Sequence, residues 1–131
     1  MPDTDKSILL VEDEDNIALA LEVIIGRRGF DTTRVVTGQE AIDTLATDRP
    51  DLVVLDVMLP ERSGFEVCQH IRDTDRLSGV KVLMISATGS DMTRRKGLEL
   101  GADAFLTKPF DTRELTDTIC ALLAEPEPRH A

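Results

Sequence analysis

The sequence of 131 residues lacks any hydrophobic run approaching the roughly 20 residues that a membrane-spanning helix requires. Its acidic amino-terminal stretch contains an apolar run that is too short for a secretory signal. A chain of this length accounts for one domain, because a second domain would have too few residues left for a core. We therefore predict a single cytoplasmic domain with no membrane partner.

Cysteine and positive charge are both scarce. The only cysteines, Cys68 and Cys120, have no second thiol or histidine at the spacing of a zinc site, and we predict that both are reduced and inert. Against 25 Asp and Glu residues there are 15 Lys and Arg residues, which gives a formal net charge of -10. Because phosphate backbones repel an acidic surface, this balance argues against nucleic-acid binding and fits a protein that binds cations or basic partner surfaces.

Short aliphatic runs alternate along the chain with segments of helical periodicity. Such runs suit strands that are covered on both faces, as in a parallel sheet. We predict strands at residues 8–11, 52–55, 82–85 and 104–106, and a weaker one around residues 35–36. A helix is predicted after each strand, although the fourth is less clearly amphipathic than the others. Five β-α units predict a doubly wound α/β fold, with helices on both faces of a five-stranded parallel sheet.

Polar residues stand where the four stronger predicted strands end. They are Glu12 and Asp13 after the first strand, Asp56 at the third, Ser86 at the fourth and Lys108 at the fifth. Parallel strands point the same way, so these side chains should meet at the carboxyl edge of the sheet, where open α/β sheets bind ligands. Two unit charges about 4 Å apart repel by about 4 kcal/mol at an effective dielectric of about 20, and one lysine cannot neutralise three acids. An all-oxygen set suits Mg²⁺, or Mn²⁺ in its place, unless each acid merely caps the helix that follows it.

A cation beside a strand-end aspartate, a hydroxyl and a lysine suggests phosphoryl chemistry. Asp56 can attack phosphorus as a carboxylate nucleophile and form an acyl phosphate. The cation and Lys108 would hold the equatorial oxygens, over which charge spreads in the transition state. Ser86 would then donate a hydrogen bond to the phosphoryl group once it has arrived.

Four stretches of the sequence resemble the receiver domain of two-component response regulators. They are Ile8–Asp15, Asp56–Pro60 with Gly64, the pair Ser86-Ala87, and Gly101–Phe110, within a similarity that runs from Lys6 to Leu123. The resemblance implies a flavodoxin-like (βα)5 fold with the strand order 2-1-3-4-5. It also implies a phosphorylation-regulated switch rather than an enzyme.

The same resemblance implies a role for each matching residue. Asp56 would accept a phosphoryl group from a sensor histidine kinase or a histidine phosphotransfer protein, and Lys108 would pair with the phosphate. Asp13 and Asp56 would ligate Mg²⁺ directly, with the backbone carbonyl of Met58 as a third ligand. Glu12 would reach the metal through water.

Ser86 and Phe105 match the switch residues of the family. Many members carry Tyr where this chain has Phe105, so the ring can move inward with Ser86 but has no hydroxyl to bond a partner. The alternative is that Phe105 is a plain core aromatic. The resemblance implies that phosphorylation rearranges a face formed by the fourth helix, fifth strand and fifth helix, which would bind a downstream protein or form a homodimer. Arg94, Arg95 and Lys96 belong either to that surface or to an ordinary solvated face.

Three other functions compete with this interpretation. Phosphohydrolases with an Asp nucleophile usually need a second Asp two residues later, where this chain has Met58. Flavodoxin-like nucleotide or flavin binders cradle phosphate with Gly, Ser or Thr after the first strand, where the acidic residues 12–15 would repel it. A receiver-like domain that works without phosphorylation finds no support in the complete set of acids, hydroxyl and lysine.

The carboxyl-terminal end of the sequence bears on domain organisation. Residues 1–124 are predicted to form the receiver domain, and residues 125–131, in which proline alternates with charge, a mobile tail. No DNA-binding domain follows Leu123, so we expect a single-domain receiver, similar to chemotaxis regulators, that signals by binding another protein. A longer reading frame cut at this point would end in the same way, and both readings stay open.

Overall fold

Strands and helices alternate throughout residues 6–124, which are the residues that a computed structural model describes. A 3₁₀ turn, Asp75–Leu77, interrupts this alternation before the fourth strand. The remaining elements are β1 Ser7–Val11, α1 Asp15–Gly26, β2 Asp31–Val35, α2 Gly38–Leu45, β3 Leu52–Asp56, α3 Gly64–Asp73, β4 Lys81–Ser86, α4 Asp91–Glu99, β5 Ala104–Thr107 and α5 Thr112–Ala124. The predicted tail, residues 125–131, lies outside the described residues.

The five strands form one parallel sheet in the order β2-β1-β3-β4-β5. This order confirms the predicted doubly wound, flavodoxin-like α/β fold with strand order 2-1-3-4-5. The chain first moves outward from β1 to β2 and then returns to β3 on the other side of β1. The carboxyl ends of β1 and β3 therefore flank the point where the winding reverses, which is where open sheets of this kind bind ligands.

Two apolar layers cover the two faces of the sheet. Alternate side chains of one strand enter opposite layers, so that Leu9 and Val11 of β1 pack with α2 and α3, whereas Ile8 and Leu10 pack with α1 and α5. Because both faces are buried, the central strands are apolar at nearly every position. The first polar residue after each run therefore emerges at the carboxyl edge of the sheet.

The second strand lies earlier than the sequence pattern predicts. The structure has β2 at Asp31–Val35, and Val36 follows it with 40% of its surface exposed. This strand lies at the edge of the sheet and pairs with β1, and its residues are exposed or only partly buried, so it needs no aliphatic run. The predicted strand exists, but its signal overlaps β2 only at Val35, because the two valines were the hydrophobic signal of a largely polar edge strand.

The helices differ in how much of their surface they bury. In α4 the only buried residue is Gly97, whereas α3 buries Val67, Cys68 and Ile71. Burial raises the pKa of the Cys68 thiol to about 11, so this free cysteine stays protonated at neutral pH. Across residues 6–124, none of the helices combines the length and the apolar character needed to cross a bilayer.

Candidate phosphoryl-acceptor and cation site

The carboxyl edge of the sheet brings together the acids and the lysine that the sequence singled out. One carboxylate oxygen from each of Glu12, Asp13 and Asp56 lies within 4.8 Å of the other two. The Lys108 Nζ donates to Asp56 Oδ2 at 2.8 Å and to Glu12 Oε1 at 3.3 Å. Ser86 is joined to Lys108 through the main chain, since the Lys108 N–H donates to the Ser86 carbonyl at 2.8 Å. Four separate strands thus supply one pocket.

Both the side chain and the main chain of Asp56 are held in place by neighbouring residues. Its carboxylate is buried, with Oδ1 accepting from the Met58 N–H at 3.1 Å and Oδ2 accepting from Lys108. The start of α3 packs directly on its backbone, because a Cβ at Gly64 would lie 2.3 Å from the Asp56 carbonyl oxygen. The Gly64 N–H also donates to the Val57 carbonyl at 2.8 Å. Only a glycine permits this approach, which places the start of α3 against the main chain that carries Asp56.

Glu12 and Asp13 are neighbours in sequence but have opposite environments. Glu12 is 1% exposed, and its Oε2 accepts from the Glu14 N–H at 3.1 Å, whereas Asp13 is exposed. Burial, together with the nearby charge of Asp56, raises the pKa of the Glu12 carboxyl above its usual value, although its hydrogen bonds oppose the shift. The loop after β1 therefore presents one partnered, buried carboxylate and one open to solvent.

Lys108 lies among carboxylates and is itself mostly buried. Besides Asp56 and Glu12, the Glu14 Oε1 lies 3.8 Å from its Nζ. Burial alone would lower the pKa of Lys108, but attraction and hydrogen bonds from Asp56 and Glu12 outweigh it and raise the pKa above its usual value. The lysine is therefore charged at neutral pH. Its peptide bond to Pro109 is cis.

The two predicted switch residues are both buried. The Ser86 hydroxyl is fully buried and accepts from the Thr88 N–H at 3.0 Å. Phe105 is 4% exposed and lies under Gly97 of α4, with the Arg94 guanidinium 6.0 Å from the ring centroid. In this conformation the ring occupies the position of a core aromatic, and its role in switching stays a prediction.

Two residues of the site were not foreseen from the sequence. Arg34 of β2 donates to the Glu12 carbonyl from Nε at 3.0 Å and from Nη2 at 2.8 Å. Glu14 reaches Lys108, as described above, and only its place in an acidic run could have signalled this. No sequence signal marks Arg34, because its partner is a main-chain carbonyl that every residue type possesses.

The donor chemistry of the pocket fits a hard divalent cation. Three carboxylates converge, and the main chain of Met58 lies beside them because its N–H bonds to Asp56. Oxygen donors with room for water are the ligands that Mg²⁺ prefers. The assignment of the Met58 carbonyl as a ligand stays a prediction.

Comparison with known proteins decides the family. Residues 8–120 match the family model of the response regulator receiver domain. This chain belongs to the response regulator receiver family. Over 123 residues it is 40% identical to the alkaline phosphatase synthesis transcriptional regulatory protein PhoP of Bacillus subtilis, a match that covers 94% of this chain and 50% of that protein. The chain spans about half the length of the curated relatives it matches.

Solved receiver domains share the fold. The receiver domain of a signal transduction histidine kinase from Syntrophus aciditrophicus superimposes with a TM-score of 0.85 at 33% identity, covering 91% of this chain and 90% of that one. The receiver domain of the sensor histidine kinase PA1611 from Pseudomonas aeruginosa has a TM-score of 0.85 at 26% identity, covering 92% and 98%. That structure carries a magnesium ion coordinated in its active-site cleft.

Proposed function

We propose that this receiver domain accepts a phosphoryl group on Asp56 and works as a phosphorylation-regulated switch rather than as an enzyme. The donor would be a phosphohistidine on a sensor histidine kinase or a histidine phosphotransfer protein, in the cytoplasm. The observation that carries the proposal is the Asp56 carboxylate, which is buried and bonded both to the Met58 N–H and to Lys108. Membership of the receiver family supports the same role.

The chemistry of transfer follows from the groups around Asp56. A carboxylate oxygen of Asp56 attacks phosphorus, and the new P–O bond forms while the P–N bond to the donor imidazole breaks. The leaving imidazole nitrogen takes up a proton from solvent water. Lys108 is close enough to exchange its bond to Asp56 Oδ2 for bonds to the incoming phosphoryl oxygens. The Ser86 hydroxyl can donate its proton to a phosphoryl oxygen while it still accepts from Thr88.

We also propose that the pocket holds Mg²⁺, for which Mn²⁺ could substitute. Asp13, Asp56 and the Met58 carbonyl would be direct ligands, and Glu12 would act through water. The exposed carboxylate of Asp13 supports a direct role, whereas Glu12 is already engaged with Lys108 and with its own loop. Bound there, the cation would offset the charge of the acids and the charge that develops on the phosphoryl oxygens.

The proposed output is a change in the face formed by α4, β5 and α5, through Ser86 and Phe105. This face would contact a downstream protein or a second copy of the chain, and the acidic chain itself would bind no nucleic acid. The exposed residues Arg94, Arg95 and Lys96 on α4 support a role in such contacts. The small buried surface of α4 supports a rearrangement at low energetic cost.

The acceptor assignment can be tested with a small-molecule phosphodonor and Mg²⁺. We expect the wild-type chain to gain one acid-labile phosphoryl group, seen by intact-protein mass spectrometry, and Asp56→Asn to gain none. Asp51→Asn is the matched control, because Asp51 lies just before the opposite end of β3 and its Oδ2 accepts from the Ser7 N–H. Equal labelling of the Asp56→Asn variant would assign the acceptor to another residue.

A further inference from the structure

The edge strand β2 contacts the loop that follows β1 through its main chain and through the side chain of Arg34. The Arg34 guanidinium donates two hydrogen bonds to the Glu12 carbonyl, one from Nε and one from Nη2. Its third contact is from Nη1 to Asp15 Oδ1, at 3.0 Å. The Asp15 side chain is 90% exposed, so this ion pair contributes little to the stability of the fold. It does help to orient the guanidinium toward the Glu12 carbonyl.

Both main-chain polar groups of Glu12 are therefore bonded to β2. The Glu12 N–H donates to the Val35 carbonyl at 3.2 Å, and the Glu12 carbonyl accepts from Arg34. Two residues further on, the Glu14 N–H donates to Glu12 Oε2. Arg34, which lies outside the loop, thus fixes the peptide group between Glu12 and Asp13. The orientation of this peptide sets the direction in which the chain continues to Asp13.

Fixing this peptide matters because Mg²⁺ demands near-ideal octahedral geometry at about 2.0–2.1 Å from its ligands. Groups that orient metal ligands without touching the metal typically contribute about 10- to 100-fold in affinity. Arg34 cannot be a ligand, since a guanidinium has no acceptor atom. Its positive charge opposes cation binding, so its charge and its positioning effect act on affinity with opposite signs.

We propose that Arg34 is a positioning residue for the cation site. Arg34 holds the loop of residues 12–14 in the conformation that binds Mg²⁺. The inference rests on the proposed binding of Mg²⁺ in this pocket. It makes the edge strand β2 part of the phosphorylation machinery, although Arg34 bonds a main-chain carbonyl of the site rather than one of its three clustered carboxylates.

Two variants separate positioning from charge. Arg34→Lys keeps the charge but loses the planar fork, and Arg34→Met loses both. Arg28→Met is the matched control, because it removes the same charge from an exposed position beyond the end of α1. For each protein we would measure Mg²⁺ affinity by calorimetry, amide hydrogen exchange of residues 12–14 without metal, and the free energy of unfolding by urea.

We expect Arg34→Lys to bind Mg²⁺ about 10-fold more weakly than wild type. Arg34→Met should also bind more weakly than wild type, but by a smaller factor than Arg34→Lys, because it loses the repulsive charge as well as the positioning contact. Exchange at the Glu12 and Glu14 amides should be faster in both variants without metal, and Arg28→Met should match wild type. Unfolding measured under the same conditions establishes that every protein is folded during the titrations.

Two results would overturn the inference. Wild-type affinity in Arg34→Lys combined with tighter binding in Arg34→Met would show that only charge matters. Unchanged exchange at Glu12 and Glu14 in both variants would show that Arg34 does not hold the loop. Failure of the wild-type chain to bind Mg²⁺ would instead reject the proposed cation site, while the exchange measurement would still decide whether Arg34 holds the loop.

Discussion

The acid pocket and α4 are close along the chain, since residues 87–90 lead from Ser86 to the start of α4, yet the two regions are held by very different means. In the pocket, Glu12, Asp56 and Ser86 are buried, and each has a polar partner on another segment or in its own loop. In α4 the single buried residue is Gly97, and Met92 is 80% exposed. A rigid pocket next to a weakly anchored helix is an arrangement in which a chemical change at the pocket can move the helix at small cost.

The helix α4 is attached to the rest of the domain by the close approach of its backbone at Gly97 and by contacts of its cationic side chains, rather than by buried apolar side chains. A Cβ at Gly97 would lie 2.8 Å from the Met84 Sδ and 3.3 Å from the Phe105 ring. On one flank the Arg94 Nη1 donates to the Phe105 carbonyl at 3.3 Å, and on the other the Lys96 Nζ lies 4.5 Å from the Phe65 ring centroid. Contacts of this last kind contribute about 0.5–1 kcal/mol at exposed sites, far less than a buried aliphatic side chain.

The largest effect is expected from a methyl group placed against the pocket. Gly64→Ala puts a Cβ 2.3 Å from the Asp56 carbonyl oxygen and 2.8 Å from the Val57 Cα, so the backbone must move. We expect the free energy of unfolding to fall by about 1–3 kcal/mol. Displacement of the acceptor should slow phosphorylation by about 10- to 100-fold. Urea unfolding and a phosphorylation time course measure the two.

Gly26→Ala is the control for this change, since nothing lies within 4 Å of a Cβ there. It should leave phosphorylation unchanged and should not destabilise the fold. Normal phosphorylation in Gly64→Ala would mean that the pocket tolerates movement of its backbone. The pocket would then not be held more rigidly than α4.

A smaller effect is expected when the same change is made in α4. In Gly97→Ala the added Cβ meets the end of Met84 and the Phe105 ring, while alanine favours the helix by about 1 kcal/mol. These effects oppose each other, so stability should change little while α4 shifts. NMR should show altered Met84 methyl and Phe105 ring signals, with phosphorylation unaffected. Impaired phosphorylation equal to that of Gly64→Ala would contradict the separation of pocket and helix.

The smallest effect concerns the flank of α4. Lys96→Met keeps most of the side-chain length but removes the charge over Phe65, and should lower the free energy of unfolding by about 0.5–1 kcal/mol. Arg95→Met, at the exposed neighbouring position, is the control. If both variants unfold at the same urea concentration, the contact between Lys96 and Phe65 does not anchor the helix.

The same contrast explains what could be predicted from the sequence. The pocket residues follow buried strands with continuous aliphatic runs, so Asp56 and Lys108 could be assigned to one edge once the strands were recognised. The sequence of α4 shows only a weak amphipathic pattern, because the helix contacts the core through Gly97. A glycine carries no hydrophobic signal. Arg34 could not be found, since its partner is a main-chain carbonyl brought close only by the pairing of β1 with β2.

Binding of beryllofluoride, a mimic of the phosphoryl group, tests most directly whether a change at Asp56 reaches α4. Amide NMR spectra of the wild-type chain with Mg²⁺ would be compared with and without the mimic, with Asp56→Asn as the control. We predict shifts in the pocket and also throughout residues 91–99 of α4 and 104–107 of β5, and none in Asp56→Asn. Wild-type shifts confined to the residues that line the acid pocket would contradict the account.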